Sequence, residues 1–223
     1  MNRASVWALL LTLLVLLAAV GCADRSRNPF RRMPVAPPGS VAWHTTPRAT
    51  EPMRVAVLPF ALAEKVGKGA SELSSLFAGS LRALGIHETV LVGPERAALL
   101  SLPDLHEGKL PVDALLAVRD ATGCDAVVIG RVEQFDGFHP VSLGASVHLV
   151  SCQDGAVLWS AQIQLDGRRQ DVQLDIESWW KRNAGDEATA VNGWKSVLST
   201  PRDFCRYAAD RLAWTIGSLP PEE

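Results

Sequence analysis

Along this chain the spacing of apolar side chains changes character at Pro140. Before it, short unbroken apolar blocks alternate with stripes spaced three and four residues apart. Arg54–Phe60 reads RVAVLPF, a β-rich run stopped by proline, which predicts a central strand. Gly67 and Gly69 then interrupt the chain. Ser71 is placed to cap a helix whose Leu73, Leu76, Phe77, Leu81 and Leu84 form one stripe, with Gly85 as its stop. Thr89–Val92 predicts a second strand. Pro94 suits the first position of a short helix through Leu100, since its missing N–H needs no partner there. Pro111 opens another helix, which carries Leu115, Leu116 and Val118 and ends at Gly123. Asp125–Val132, DAVVIGRV, is apolar through its middle, so burial on both faces is expected, as in the parallel core of an α/β sheet.

After Pro140 the period becomes two. Val141, Leu143, Ala145, Val147 and Leu149 alternate with Ser142, Gly144, Ser146 and His148. Gln153-Asp154-Gly155 makes a turn, in which Asp bonds back to its own backbone and Gly supplies positive φ. Val157, Trp159, Ala161, Ile163 and Leu165 then alternate with Ser160, Gln162 and Gln164. This predicts an antiparallel hairpin with one covered and one wet face. A last helix from about Arg202 places Phe204, Tyr207, Ala208, Leu212 and Ile216 on one side. The order β-α-β-α-β-β-β-α defines a single α/β domain over residues 53–219, a mixed β-sheet with helices packed on it. Val128 should be buried, and Trp159 should lie against a helix.

The start of the chain has a different character. Asn2 and Arg3 precede Val6–Val20, VWALLLTLLVLLAAV, a positive start and an apolar run of the secretory-signal type. The run is shorter than the ~20 residues a membrane-spanning helix needs. Ala19-Val20-Gly21-Cys22 resembles the bacterial lipobox, although Ala19 stands where Leu is usual. That resemblance implies a signal peptide over residues 1–21, removed on maturation, and acylation of Cys22 with palmitate-type chains. Each buried acyl CH₂ contributes ~0.8 kcal/mol, so several chains hold a protein on a membrane essentially permanently. Ala23 follows Cys22 where an Asp is absent, which by resemblance to Gram-negative lipoproteins implies the outer membrane, with the domain facing the periplasm. Residues 22–52 form the lipidated Cys and a proline-rich tether, since Pro29, Pro34, Pro37, Pro38, Pro47 and Pro52 interrupt regular structure. Arg25, Arg27, Arg31 and Arg32 either meet anionic headgroups or are solvated linker charge.

The formal net charge of −2 excludes a broad basic field, and with it a nucleic-acid partner. Four cysteines less Cys22 leave Cys124, Cys152 and Cys205, which permit one disulfide and a thiol, or none. Cys124 opens a buried strand and is expected to act as a small hydrophobe. Cys152 near a turn and Cys205 near a helix start leave a Cys152–Cys205 bridge open. Catalytic signatures are missing from the sequence: no Gly-x-Ser-x-Gly elbow, phosphate loop or His-Glu-x-x-His helix occurs. His87-Glu88 and His106-Glu107 are sequence neighbours in loops, which do not face one site, so no metal site is read there. His148 is expected to be solvated on its polar strand face. The reading is non-catalytic, with no cofactor and no metal.

RVAVLPF, CDAVVIGRV and VHLVSCQDGAVLWS together resemble a group of bacterial envelope lipoproteins. It comprises CsgG of the curli channel, FlgO of the flagellum, PelC of polysaccharide export, the synthase activator LpoB and the amino-terminal domain of TolB. The resemblance rests on Pro59-Phe60 closing the first strand, Gly130-Arg131-Val132 after the apolar run, and the hairpin residues Cys152-Gln153-Asp154-Gly155 and Leu158-Trp159. It covers about Arg54 to Leu165 plus the last helix. It implies a scaffold that forms rings or docks partners: an assembly or docking subunit of a secretion, export or surface-appendage machine, with homo-oligomers among the outcomes. The alternative is a periplasmic regulator that binds and activates an envelope enzyme such as a peptidoglycan synthase. The turn Asp136–Pro140 is too short for membrane hairpins, whose strands need ~9–11 residues, so no pore is expected. Residues 166–200 depart from the group and carry Trp179, Trp180 and Trp194 among Lys181, Arg182 and Asp186. These tryptophans are candidate docking anchors, or local core.

Overall fold

The unbroken apolar run around Val127 becomes the strand at which two kinds of pairing meet. In the computed structural model, which describes residues 40–64, 66, 68–100, 110–183 and 193–218, β5 (Ala126–Asp136) runs antiparallel to β6 (Ser142–Ser151). β6 in turn runs antiparallel to β7 (Val157–Asp166). On its other side β5 is parallel to β2 (Arg54–Val57), and β2 is parallel to β4 (Glu88–Leu91). β1 (Val41–Thr45) pairs antiparallel outside β7, and the short β3 (Ala61–Leu62) runs parallel to β5. Among the described residues this is one seven-stranded mixed sheet, ordered β1-β7-β6-β5-β2-β4 with β3 off that path. Val127, Val128 and Ile129 are all buried.

Five helices accompany these strands among the described residues: α1 (Leu73–Leu84), α2 (Pro94–Leu99), α3 (Val112–Thr122), α4 (Gln170–Asn183) and α5 (Pro201–Ile216). α1 buries Leu73, Phe77, Leu81 and Leu84 of the expected stripe and leaves Leu76 half-buried, and Gly85 closes it at φ 69°. Its N-cap falls at Glu72, one residue after the expected Ser71, and Ser75 Oγ donates to the Glu72 carbonyl at 2.8 Å. α5 buries Phe204, Tyr207, Ala208, Leu212 and Ile216. Trp159 on β7 lies between the two helices. Its ring stacks on Phe77 at 6.1 Å, and its indole N–H donates to Thr215 Oγ1 at 3.0 Å. The indole is fully buried yet polar at one end, so both of its demands are met. The opposite face of the sheet is covered at the β2–β5 end, where Val127 and Ile129 pack with Leu115 and Val118 of α3.

The structure corrects the tether from residue 40 onward. Val41–Thr45, expected to be irregular, is the edge strand β1, and Pro47–Thr50 forms a 3₁₀ turn after it. Trp43 holds the strand: its ring meets Trp214 edge-on at 6.0 Å, and its indole N–H donates to the Ser218 carbonyl at 3.2 Å. VAWHT alternates over only five residues and is followed at once by Pro47, outside the paired segment, so the proline density hid the strand. The expected order also lacked β3 and α4. Residues 1–39, with the signal and most of the tether, lie outside the described residues.

Burial of His87, between α1 and β4, pulls its imidazole below the usual 6.5, with the Ala49 backbone opposing part of the change. The folded protein therefore holds this base neutral where the unfolded chain would take a proton. The contribution is fully present above about pH 6.5 and is lost as pH falls below it. The melting temperature should fall on acidification from about pH 7.5 to 5.5. A His87→Gln variant melted over the same range should show a shallower fall; an unchanged slope would contradict the assignment.

Candidate docking face

β5, β6, β7 and β1 turn their second face away from α1 and α5, and the register lays out its residues in rows. His44, Ser160 and His148 lie side by side across β1, β7 and β6. The next row is Ala42, Gln162, Ser146 and Arg131, reaching across to β5. A third joins Gln164, Gly144 and Gln134. The rows are tied laterally: Ser146 Oγ donates to Glu133 Oε1 at 2.9 Å, and Gln164 Nε2 donates to Gln134 Oε1 at 3.3 Å. Gly144 leaves room for Gln164: a Cβ there would come 2.5 Å from Gln164 Oε1 and push that exposed side chain aside. A shallow depression of about 310 Å³ runs over the first two rows. Ala42, His44, Gln162 and Gln164 are exposed, and Ser146, His148 and Ser160 are half-buried. The wet face expected for the hairpin is therefore wider than a hairpin, because β1 and β5 extend it. His148 is less solvated than expected, and burial lowers its imidazole pKa.

The outer edge of β1 has no strand partner among the described residues. Its unpaired N–H and C=O groups are a place where a further strand can add. Parallel sheets usually bury both faces, whereas antiparallel ones commonly leave one to solvent, and β5, β6, β7 and β1 pair antiparallel. Here the face beyond the α3-covered end carries mainly polar side chains: histidine, glutamine, serine and Arg131.

The tryptophans divide. Trp179 is 4% exposed. Its indole N–H donates to Asp210 Oδ2 at 2.8 Å, and its ring meets Tyr207 edge-on at 5.6 Å. Burial raises the Asp210 carboxyl pKa, while bonds from the Ser80 hydroxyl and the Trp179 indole favour its charged form. Trp179 thus packs α4 onto α5 and is not available as a docking side chain. The charged residues around it in sequence concealed this: α4 is amphipathic, and Val172, Asp175, Ile176 and Trp179 form its inner face. Trp180 and Trp194 are half-exposed. The residues between α4 and Gly193, Asp186 among them, lie outside the described residues.

A network that sequence reading missed lies beneath α4. Asp175 accepts from Tyr207 Oη and Arg211 Nε, each at 2.5 Å, and an ion pair joins Arg211 Nη2 to Asp175. Arg211 is 1% exposed and Asp175 5%. Burial, aided by the Asp175 charge, pushes the Tyr207 phenol above its usual range. No spacing rule announces such a pair, because the partners lie 36 residues apart.

The end of the sheet holds an open cleft of about 470 Å³, lined among others by Arg48, Arg119, Asp125, Gln153, Cys124 and Cys152. Asp154 behaves as the expected turn residue, accepting from Ala156 N at 3.2 Å beside Gly155 at φ 70°. It also pairs with Arg48 at 2.9 Å. Bonds from Ser151 and Arg48 hold its carboxyl down at about 2. The Cys152–Cys205 bridge is not formed: all three described cysteines are free and buried, and the sulfur beside Cys152 is that of Cys124, at 3.5 Å. Among the described residues no cluster of three or more His, Cys, Asp or Glu is placed to hold a metal. No helix there is long and apolar enough to cross a membrane. Cys22, His106 and Glu107 lie outside the described residues.

No protein-family model matches the chain, and no curated protein matches it. Solved structures do. A PelC dodecamer from Paraburkholderia phytofirmans is 18% identical, with a TM-score of 0.43 over 61% of this chain and 88% of that one. A lipoprotein from Neisseria meningitidis is 16% identical, with a TM-score of 0.41 over 62% of this chain and 98% of that one. The C-terminal domain of LpoB from Salmonella enterica is 13% identical, with a TM-score of 0.33 over 50% of this chain and 82% of that one. PelC and LpoB are two of the lipoproteins named in the sequence resemblance.

Proposed function

We infer that this chain is a non-catalytic outer-membrane lipoprotein, anchored through Cys22 and facing the periplasm, that docks envelope proteins or further copies of itself. The polar face of β5–β6–β7–β1, with no helix over it and no strand beyond β1 among the described residues, is the observation that carries the reading. The lipobox at Ala19–Cys22 supports the location, and half-exposed Trp180 and Trp194 are secondary docking candidates.

Two measurements on the full chain test the two parts separately. Cys22→Ser should move the protein to the soluble periplasmic fraction and end palmitate labelling; retention in the outer membrane would refute the anchor. A photo-crosslinking residue at Gln162 should give discrete adducts in intact cells, to another envelope protein or to a second copy. The same residue at exposed Arg82 on α1 is the control. With the probe kept at 162, Ala42→Arg beside it in the register should remove those adducts without moving the melting temperature, because Ala42 is exposed. Equal labelling at Arg82 and Gln162 would refute the docking face.

A further inference from the structure

The register of the central hairpin brings two thiols together from residues 28 apart. Cys152 N donates to the Asp125 carbonyl at 2.8 Å, which sets the end of β6 beside the start of β5 and places Cys124 next to Cys152. Their sulfurs are 3.5 Å apart. A disulfide needs about 2.05 Å, so closure asks each sulfur to move by less than about 1 Å, within reach of small side-chain rotations. Both residues belong to the core cluster under α3, and both also line the open cleft that Arg48 borders.

We propose that Cys124 and Cys152 are a disulfide-forming pair, oxidised by a thiol–disulfide oxidant after export, which pins the start of β5 to the end of β6. The environments of the two sulfurs suit the exchange. A hydrogen bond from Cys152 is the largest cause holding the Cys124 thiol down at about 6, and the same bond pushes Cys152 above its usual range. Cys124 is therefore the nucleophile. Its thiolate attacks one sulfur of the donor disulfide, forming a mixed disulfide and releasing the donor's other sulfur as a thiolate. Cys152 loses its proton, attacks Cys124 Sγ, and expels the donor's remaining sulfur. One S–S bond forms and one breaks; two electrons pass to the donor, which leaves as a dithiol carrying the two protons. Cys205 takes no part: it lies on α5, and burial pushes its thiol up to about 12.

In-cell closure rests on the export reading above, and the experiment separates the two. The full chain, made with its own signal, is alkylated under denaturing conditions with and without prior reduction, then digested and mapped. The expected result is a Cys124–Cys152 peptide lighter by two hydrogens and no alkylation of either cysteine before reduction. In a second arm the reduced, unfolded chain is refolded in reduced and oxidised glutathione. A Cys124–Cys152 bridge formed there but not in cells upholds the pair and rejects the periplasmic location. Both thiols free in the second arm, or a Cys152–Cys205 bridge instead, overturns the pair. Cys124→Ser, Cys152→Ser and the double variant should each lower the melting temperature of the oxidised protein by the same amount, on the order of 5–15 °C. Reduction should lower wild type equally and leave the variants unmoved. Additive losses in the double variant, with wild type indifferent to reductant, would mean that the residues act only as packing.

Discussion

Asp175→Ala should destabilise the domain by about 3–5 kcal/mol and lower its melting temperature by roughly 6–20 °C. The reason is what remains behind. Arg211 would keep its charge at 1% exposure with its carboxylate gone, and the Tyr207 hydroxyl would lose its acceptor. Removing one member of a buried pair leaves a desolvated charge, whereas replacing all members by apolar groups does not. Asp175→Leu, Arg211→Met and Tyr207→Phe combined should therefore be far milder than Asp175→Ala alone. Urea denaturation of wild type, Asp175→Ala and the triple variant reads this directly. A single variant melting within two degrees or so of wild type would show that water reaches the network, and the core role of α4 would fail with it.

Val128→Asp should abolish cooperative unfolding altogether. Val128 is fully buried near the start of β5, paired with Val57 of β2 on one side and Leu149 of β6 on the other. An unpaired carboxylate there costs several kcal/mol, comparable with the ~5–15 kcal/mol that separates folded from unfolded domains. The expected signature is a broad, non-sigmoidal thermal transition by circular dichroism. A sharp transition within a few degrees of wild type would sink the placement of β5 at the centre of the sheet.

The two predictions sit on different kinds of evidence. Val128 was legible in the amino-acid order, because an unbroken apolar run between turn signals has few places to go except a strand covered on both sides. Asp175 was not. It lies in a segment rich in charge and tryptophan, which reads as surface when burial is judged residue by residue. Trp179 shows the same limit: its aromatic bulk among charges left docking anchor and local core both open, and its partners, Tyr207 and Asp210 of the same chain, make it core.

Local rules determined much of this protein from the sequence alone. Apolar period gave away α1, α3, α5, the hairpin β6–β7 and the buried core of β5, since each is set by neighbours within a few residues. Glycine marked two helix ends, because only positive φ closes them there: Gly85 at φ 69° and Gly123 at φ 65°. Only the tertiary structure decided the rest. β1 exists because β7 offers it a partner more than 110 residues away, and a five-residue alternation followed by proline has too little local signal to declare itself. The Arg211–Asp175 pair, the Cys124–Cys152 contact and the extent of the bare face are all products of strand and helix neighbours distant in sequence. Such contacts depend on which elements pack side by side, and no spacing along the chain records that choice.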